Sequence, residues 1–284
     1  MRFGVLALAA LWGCANENSI TVTPVESVAV TTGDFDYVAA PLDYLVVEHE
    51  SYEGLISVAT WSDDYDPEIV SLKVESLLGS ADELALHDVV FVASGTRGLG
   101  LQQYNGLDPD DQLVSDPAVI DNVQRYVQER GGILVVTDWA YDLIAAAWPQ
   151  DLQFVGDGTY DAAQVGLNGD VLATVDDPAL RGALGDTANI SFNFSNWAPV
   201  VSAGPNATVH LSADIEYRGD VTSGTETVAG SPLLVSFSPP GTEGKVVYAA
   251  FHFDAQHEDM MTQILTTIVG DFAADPSTTL SVGG

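Results

Sequence analysis

The sequence predicts one α/β domain: a mainly parallel sheet flanked by helices, with a β-rich insertion and a late β-hairpin. Three observations predict it. The first is a pair of continuous apolar runs, 88–94 (DVVFVAS) and 133–137 (ILVVT), of the kind buried on both faces of a parallel sheet. The second is the segment joining them. Asp116 and Pro117 open it as N-cap and first-turn proline, Val119, Ile120, Val123 and Val127 form a stripe at helical spacing, and Gly131-Gly132 stop it behind Arg130. Strand, helix, strand in this rhythm argues for a right-handed parallel crossover. The third is a pair of strong strands, 232–237 and 245–253, around Pro239-Pro240-Gly241, which reads as a hairpin. Runs 88–94, 133–137 and 246–250 are expected side by side at the centre of one sheet, the first two parallel.

The remaining elements follow in order. Residues 25–30 read as a strand ended by Thr31-Thr32-Gly33-Asp34. Residues 37–45 read as helix, with Val38, Leu42 and Leu45 on one face and Pro41 tolerable only in the first turn. A second strand is expected over 46–52. Asp66-Pro67 then offers a cap for a helix carrying Val70, Val74, Leu77 and Leu78. After 133–137, a short helix over 138–147 is halted by Trp148-Pro149. From 150 to 230, Gly, Asp, Asn and Thr are frequent, so short strands and no long helix are expected, with 151–230 as the β-rich insertion. A last helix, capped by Asp254, buries Met260, Met261, Ile264, Leu265, Ile268 and Val269. The domain as a whole is expected over 25–275.

The start of the chain reads as an address. Arg2 is followed by a short apolar run ending in Leu11-Trp12-Gly13-Cys14. That run falls short of the ~20 residues needed to span a bilayer and reads as a secretory signal over 1–13. The four residues resemble the bacterial lipobox, which implies cleavage before Cys14 and acyl chains, palmitate among them, on its thiol. Residues 14–24 would then be a tether. The expected location is exported and membrane-anchored by lipid, at the outer membrane if the host is Gram-negative, with the lipid bilayer as a partner. Cys14 is the only cysteine. A lipidated Cys14 leaves no thiol for nucleophilic catalysis, thiolate metal sites or disulfides.

Charge narrows the partners further. Eight Lys and Arg stand against 41 Asp and Glu, a net charge of -33, and such a surface repels nucleic-acid phosphate. Nucleic acid is therefore not expected as a partner. No cofactor is expected, although a divalent cation such as calcium has two acidic clusters to consider: Asp63, Asp64, Asp66 and Asp108, Asp110, Asp111. Neither has the alternating spacing of an EF-hand loop, and plain solubility accounts for the acidity equally well.

Three places make the chain resemble the class I glutamine amidotransferase-like fold, the flavodoxin-like sheet shared with ThuA-like proteins. One is the helix ending in Gly131-Gly132 followed by ILVVT and the turn at Asp138-Trp139. Another is the hairpin leading into Phe251-His252. The last is the loop Ser94-Gly95-Thr96-Arg97-Gly98. Residues 137–142 and 252–256 also resemble a group of bacterial lipoproteins. The resemblance implies that Asp138 occupies the nucleophile elbow, His252 the histidine position and 94–98 the oxyanion loop. Where the amidotransferases carry cysteine, this chain has Asp138 or Trp139, so the resemblance supports the fold and argues against the chemistry.

Candidate ligand-binding residues are Arg97, Asp138, Trp139, His252 and Gln256, with Asp138 and His252 the candidates for acid–base work. Asp138 reads equally as a helix N-cap, His252 as a hydrogen-bonded structural histidine, and Arg97 as an ion-pair partner. Ser94 follows a strand without a G-x-S-x-G elbow. A metal set would draw on His252, His257, Glu258 and Asp138. His49, His87 and His210 have no polar company that suggests a site. Three functions follow. The first is a degenerate, non-catalytic amidotransferase-like domain binding an unidentified ligand or envelope protein. The second is a metal-assisted hydrolase using Asp138, His252, His257 and Glu258. The third is a structural envelope component.

Overall fold

The computed structural model describes residues 25–54, 72–96, 117–156, 163–194, 197–219 and 224–270. In chain order, β1 (Val28–Thr31), α1 (Ala40–Tyr44), β2 (Glu50–Tyr52), α2 (Val74–Leu78), α3 (Ala81–Leu84) and β3 (Val89–Val92) lead to α4 (Pro117–Gln128) and β4 (Ile133–Thr137). A 3₁₀ turn over Asp138–Ala140 runs into α5 (Tyr141–Ala147). Then come β5 (Leu152–Phe154), β6 (Gly169–Val175), α6 (Pro178–Leu184), β7 (Thr187–Phe192), β8 (Val200–Ala203), β9 (Ala207–Arg218), β10 (Thr225–Phe237), β11 (Lys245–Ala249) and α7 (Glu258–Ile264). A π-helical turn, Leu265–Val269, is the last described element.

Among the described residues, nine strands form one sheet in the order β2-β1-β3-β4-β11-β10-β9-β6-β7. The first five are parallel to their neighbours within that group. The remaining pairings, from β11–β10 outward, are antiparallel. The mixed α/β class read from the sequence is what the chain adopts, with β3, β4 and β11 adjacent at the centre. Each of Val89–Val92 is buried, as are Val246–Ala249 in β11. Strands covered on both faces have no polar side to show, hence the unbroken apolar runs. Helix α4 buries Val119, Val123, Tyr126 and Val127 against that sheet, and Pro41 lies in the first turn of α1.

Several local expectations give way. The second strand begins only at Glu50, because Val46 takes φ +59° after α1. Strands β9 and β10 run 12 and 13 residues, against the expectation of short strands. With β6 and β7 they extend the central sheet; among the described residues, only β5 and β8 form a sheet apart from it. The last helix starts at Glu258, later than a cap at Asp254 implies, and is capped by His257, whose Nδ1 accepts from the Asp259 N–H at 3.3 Å. Asp66, Pro67, Val70 and Asp116 lie outside the described residues, as does Cys14. No helix among those described is long and apolar enough to cross a membrane.

Candidate functional site

Parallel strands β1, β3, β4 and β11 all point their carboxyl ends to one edge of the sheet, where α/β proteins place ligand sites. The loops after β1 and β3 are bound backbone to backbone. Asp34 N–H donates to the Gly95 carbonyl and Phe35 N–H to the Ser94 carbonyl, both at 3.2 Å. Gly33 permits that approach, since a Cβ there would overlap the Ser94 carbonyl. Ser94 N–H in turn donates to the Thr137 hydroxyl at 2.9 Å, tying the β3 loop to β4.

Asp138 follows directly and has φ +43°. A residue with a Cβ rarely adopts that conformation, and a strained strand-to-helix turn is how a nucleophile elbow is built. This turn carries a fully buried carboxylate. Its Oδ1 accepts from the Ala198 N–H at 3.1 Å. Its Oδ2 accepts from the Ser94 hydroxyl at 3.2 Å and lies 2.6 Å from His252 Nε2. The other ring nitrogen, Nδ1, is 2.8 Å from Asn193 Oδ1. The Trp139 N–H, the next donor along the turn, is spent on Ser94 Oγ at 3.3 Å. Tyr248 O–H donates to the carbonyls of Asp138 and Ala198, at 3.2 and 2.9 Å.

Burial opposes both charges of the Asp138–His252 pair. It raises the Asp138 carboxyl, against the pull of His252, Ala198 and Ser94. It would lower His252, yet Asp138, then Asp36 and Asp254, lift the imidazole to about 9. The ionised pair satisfies more of the surroundings. Asp138 faces two other donors, which favours a carboxylate, and both ring nitrogens face oxygens, which favours imidazolium. Asp36 completes the cluster: it is buried, and its Oδ1 accepts from the backbone N–H of Phe253 at 3.0 Å and of Asp254 at 3.4 Å. Burial pushes Asp36 up to about 7, with His252 pulling the other way.

The other candidates separate from this cluster. Asp138 does not cap its turn: Thr137 holds that position without a side-chain bond. Trp139 is buried against Tyr141, ring centroids 5.4 Å apart. Gln256 is a backbone clamp. Its Nε2 donates to the carbonyls of His252 and Ser191, and its Oε1 accepts from Ser191 N–H. His257 and Glu258 are exposed at the start of α7. Among the described residues no three His, Cys, Asp or Glu side chains are grouped to hold a metal, so the four-residue metal set is not assembled. Arg97 and both acidic clusters lie outside the described residues.

The sequence does not single out Asp36, Asn193 or Ala198. Asp36 has one signal, its place in an Asp-Phe-Asp turn after β1, but Asp is ordinary in turns. His210, whose company along the chain suggests no site, has two partners in the fold: Asp177 Oδ2 at 2.9 Å from Nδ1 and Ser236 Oγ at 2.8 Å from Nε2.

No protein-family model matches the sequence, and no curated protein does. Solved structures align over most of its length at low identity. A protein described as a GMP synthase subunit from Thermoplasma acidophilum covers 84% of this chain and 92% of its own, at 9% identity and TM-score 0.45. PurLQS from Thermotoga maritima covers 84% and 96%, at 10% identity and TM-score 0.42. The glutaminase domain of Trypanosoma brucei CTPS, with acivicin bound, covers 88% and 96%, at 9% identity and TM-score 0.41.

Proposed function

We propose that this chain is an exported lipoprotein, anchored through acyl chains on Cys14, with an amidotransferase-like domain whose elbow serves as a structural pin. Its role is then binding or envelope assembly, without glutamine hydrolysis. One observation carries the reading: the groups a hydrolytic elbow would need free are bound to one another. The carboxylate at 138 has three neighbours, His252 is engaged at both nitrogens, and the Trp139 N–H is directed at Ser94. An imidazolium held on a carboxylate is a poor base near neutral pH. The absence of any cysteine besides Cys14 supports the same conclusion.

Two experiments test the two halves. Cys14→Ser should release the protein from the membrane fraction; a variant still membrane-bound and normally cleaved overturns the anchor. A single acyl chain binds only weakly, so stable attachment requires more than one. Full-length protein in detergent should not hydrolyse glutamine. Turnover that disappears in Asp138→Asn, with the fold retained, would overturn the pin.

A further inference from the structure

We propose that Asp177, His210 and Ser236 form a second, hydrolytic site, remote in sequence from the elbow, that cleaves small carboxylic esters through Ser236. The three side chains stand in the order carboxylate, imidazole, hydroxyl, at 2.9 and 2.8 Å. With the proton on Nδ1 facing Asp177, the Nε2 lone pair is left for the Ser236 O–H. That is the arrangement a serine nucleophile requires.

The backbone is shaped to hold it. Leu234 pairs with Leu211 and Val235 with Val209, so His210 is the extra residue of a β-bulge on β9. Bulges re-aim side chains and recur beside active sites. The His210 carbonyl accepts from the N–H groups of Asp176 and Asp177, at 2.9 and 3.3 Å, which fixes the bulge to the loop that carries its partner. Asp177 is itself fixed as the N-cap of α6, its Oδ1 accepting from Ala179 and Leu180. Burial lowers His210, opposed by Asp177, while backbone and His210 hydrogen bonds lower Asp177 against burial. A neutral base beside an ionised carboxylate is the consequence.

Ser236 is partly exposed. It pairs with Val247 across β10 and β11. Lys245, two residues along, is therefore on the same face, a diagonal neighbour at roughly 7 Å. Its ammonium donates to the Ile268 carbonyl at 2.8 Å and has further protons for a developing oxyanion. In the reaction, Ser236 Oγ attacks the acyl carbon and its proton passes to His210 Nε2. The ester C–O bond breaks and the alcohol leaves with that proton. Water, deprotonated by His210, then cleaves the acyl-serine to carboxylate and restores the hydroxyl.

The test uses full-length protein with a fluorophosphonate probe, followed by peptide mass spectrometry, and p-nitrophenyl acetate as ester. The expected result is an adduct on Ser236 and ester hydrolysis lost in Ser236→Ala. His210→Gln should slow labelling by about 100-fold or more. Asp177→Asn retains an N-cap acceptor, so the helix stays while labelling slows and its pH profile shifts. No Ser236 adduct on the folded wild type, or equal labelling rates in wild type and Asp177→Asn, overturns the proposal; this second comparison holds even if His210→Gln unfolds.

Discussion

A left-handed backbone at Asp138 costs about 1 kcal/mol or more, so the surroundings must favour that residue strongly. Ala198, Ser94 and His252 supply that preference through its carboxylate. Asp138→Asn keeps the shape but leaves a buried imidazolium facing an amide. The expected loss is about 3–5 kcal/mol of unfolding free energy, the range for breaking one side of a buried pair, measurable by denaturant titration. The pH dependence has a definite sign. His252 moves from 6.5 unfolded to about 9 folded, so its stabilisation is complete below 6.5 and is lost as pH rises through 9. Asp36, moved from 3.8 to about 7, acts in the same direction at lower pH. The melting temperature should therefore fall between pH 6.5 and 9, by about 2–4 °C for each kcal/mol lost. In His252→Gln the fall above about pH 7, beyond the reach of Asp36, should vanish; an unchanged slope would contradict the assignment.

At the scale of elements, legibility follows burial. Strands β3, β4 and β11 are covered on both faces, so their composition alone marks them. The hairpin half of β10, 232–237, is legible, but β9 and the first half of β10 escape because much of their length faces water: Thr225, Glu226, Thr227, Ala229 and Gly230 are exposed, and Gly230 interrupts the run as a turn residue would. The His210 bulge leaves no mark in a single strand's sequence, since it exists only relative to β10. The Asp138–His252 meeting is legible in outline, because turns at the carboxyl ends of parallel strands share an edge. Asp36, far from His252 along the chain, is not. Loop contact at that edge can be probed through two glycines. Gly33→Ala forces a Cβ into the Ser94 carbonyl and should cost about 2–3 kcal/mol. Gly182→Ala, exposed on helix α6 with nothing within 4 Å of the added carbon, should stabilise by about 0.5–1 kcal/mol. Equal effects in thermal melts would contradict the tight loop packing.

Across the whole molecule, five parallel-paired strands supply the edge where ligands bind in α/β proteins, and the described residues at that edge carry a buried cluster of charge. Asp138, His252 and Asp36 draw the loops after β1, β3, β4 and β11 together with Asn193 and Ala198 from the segment between β7 and β8. A net charge of -33 makes a buried cation there easier to retain, because the surrounding field favours the protonated ring. Whether the edge is a pin or a catalytic centre comes down to the proton on His252. The most direct measurement is nitrogen NMR of the His252 ring in the intact protein at about pH 7.5, above the ordinary histidine range. Both ring nitrogens protonated at that pH, with titration near 9, is the expected result. A neutral ring with one bare nitrogen, titrating near the ordinary 6.5, would contradict the pin and restore His252 as a base.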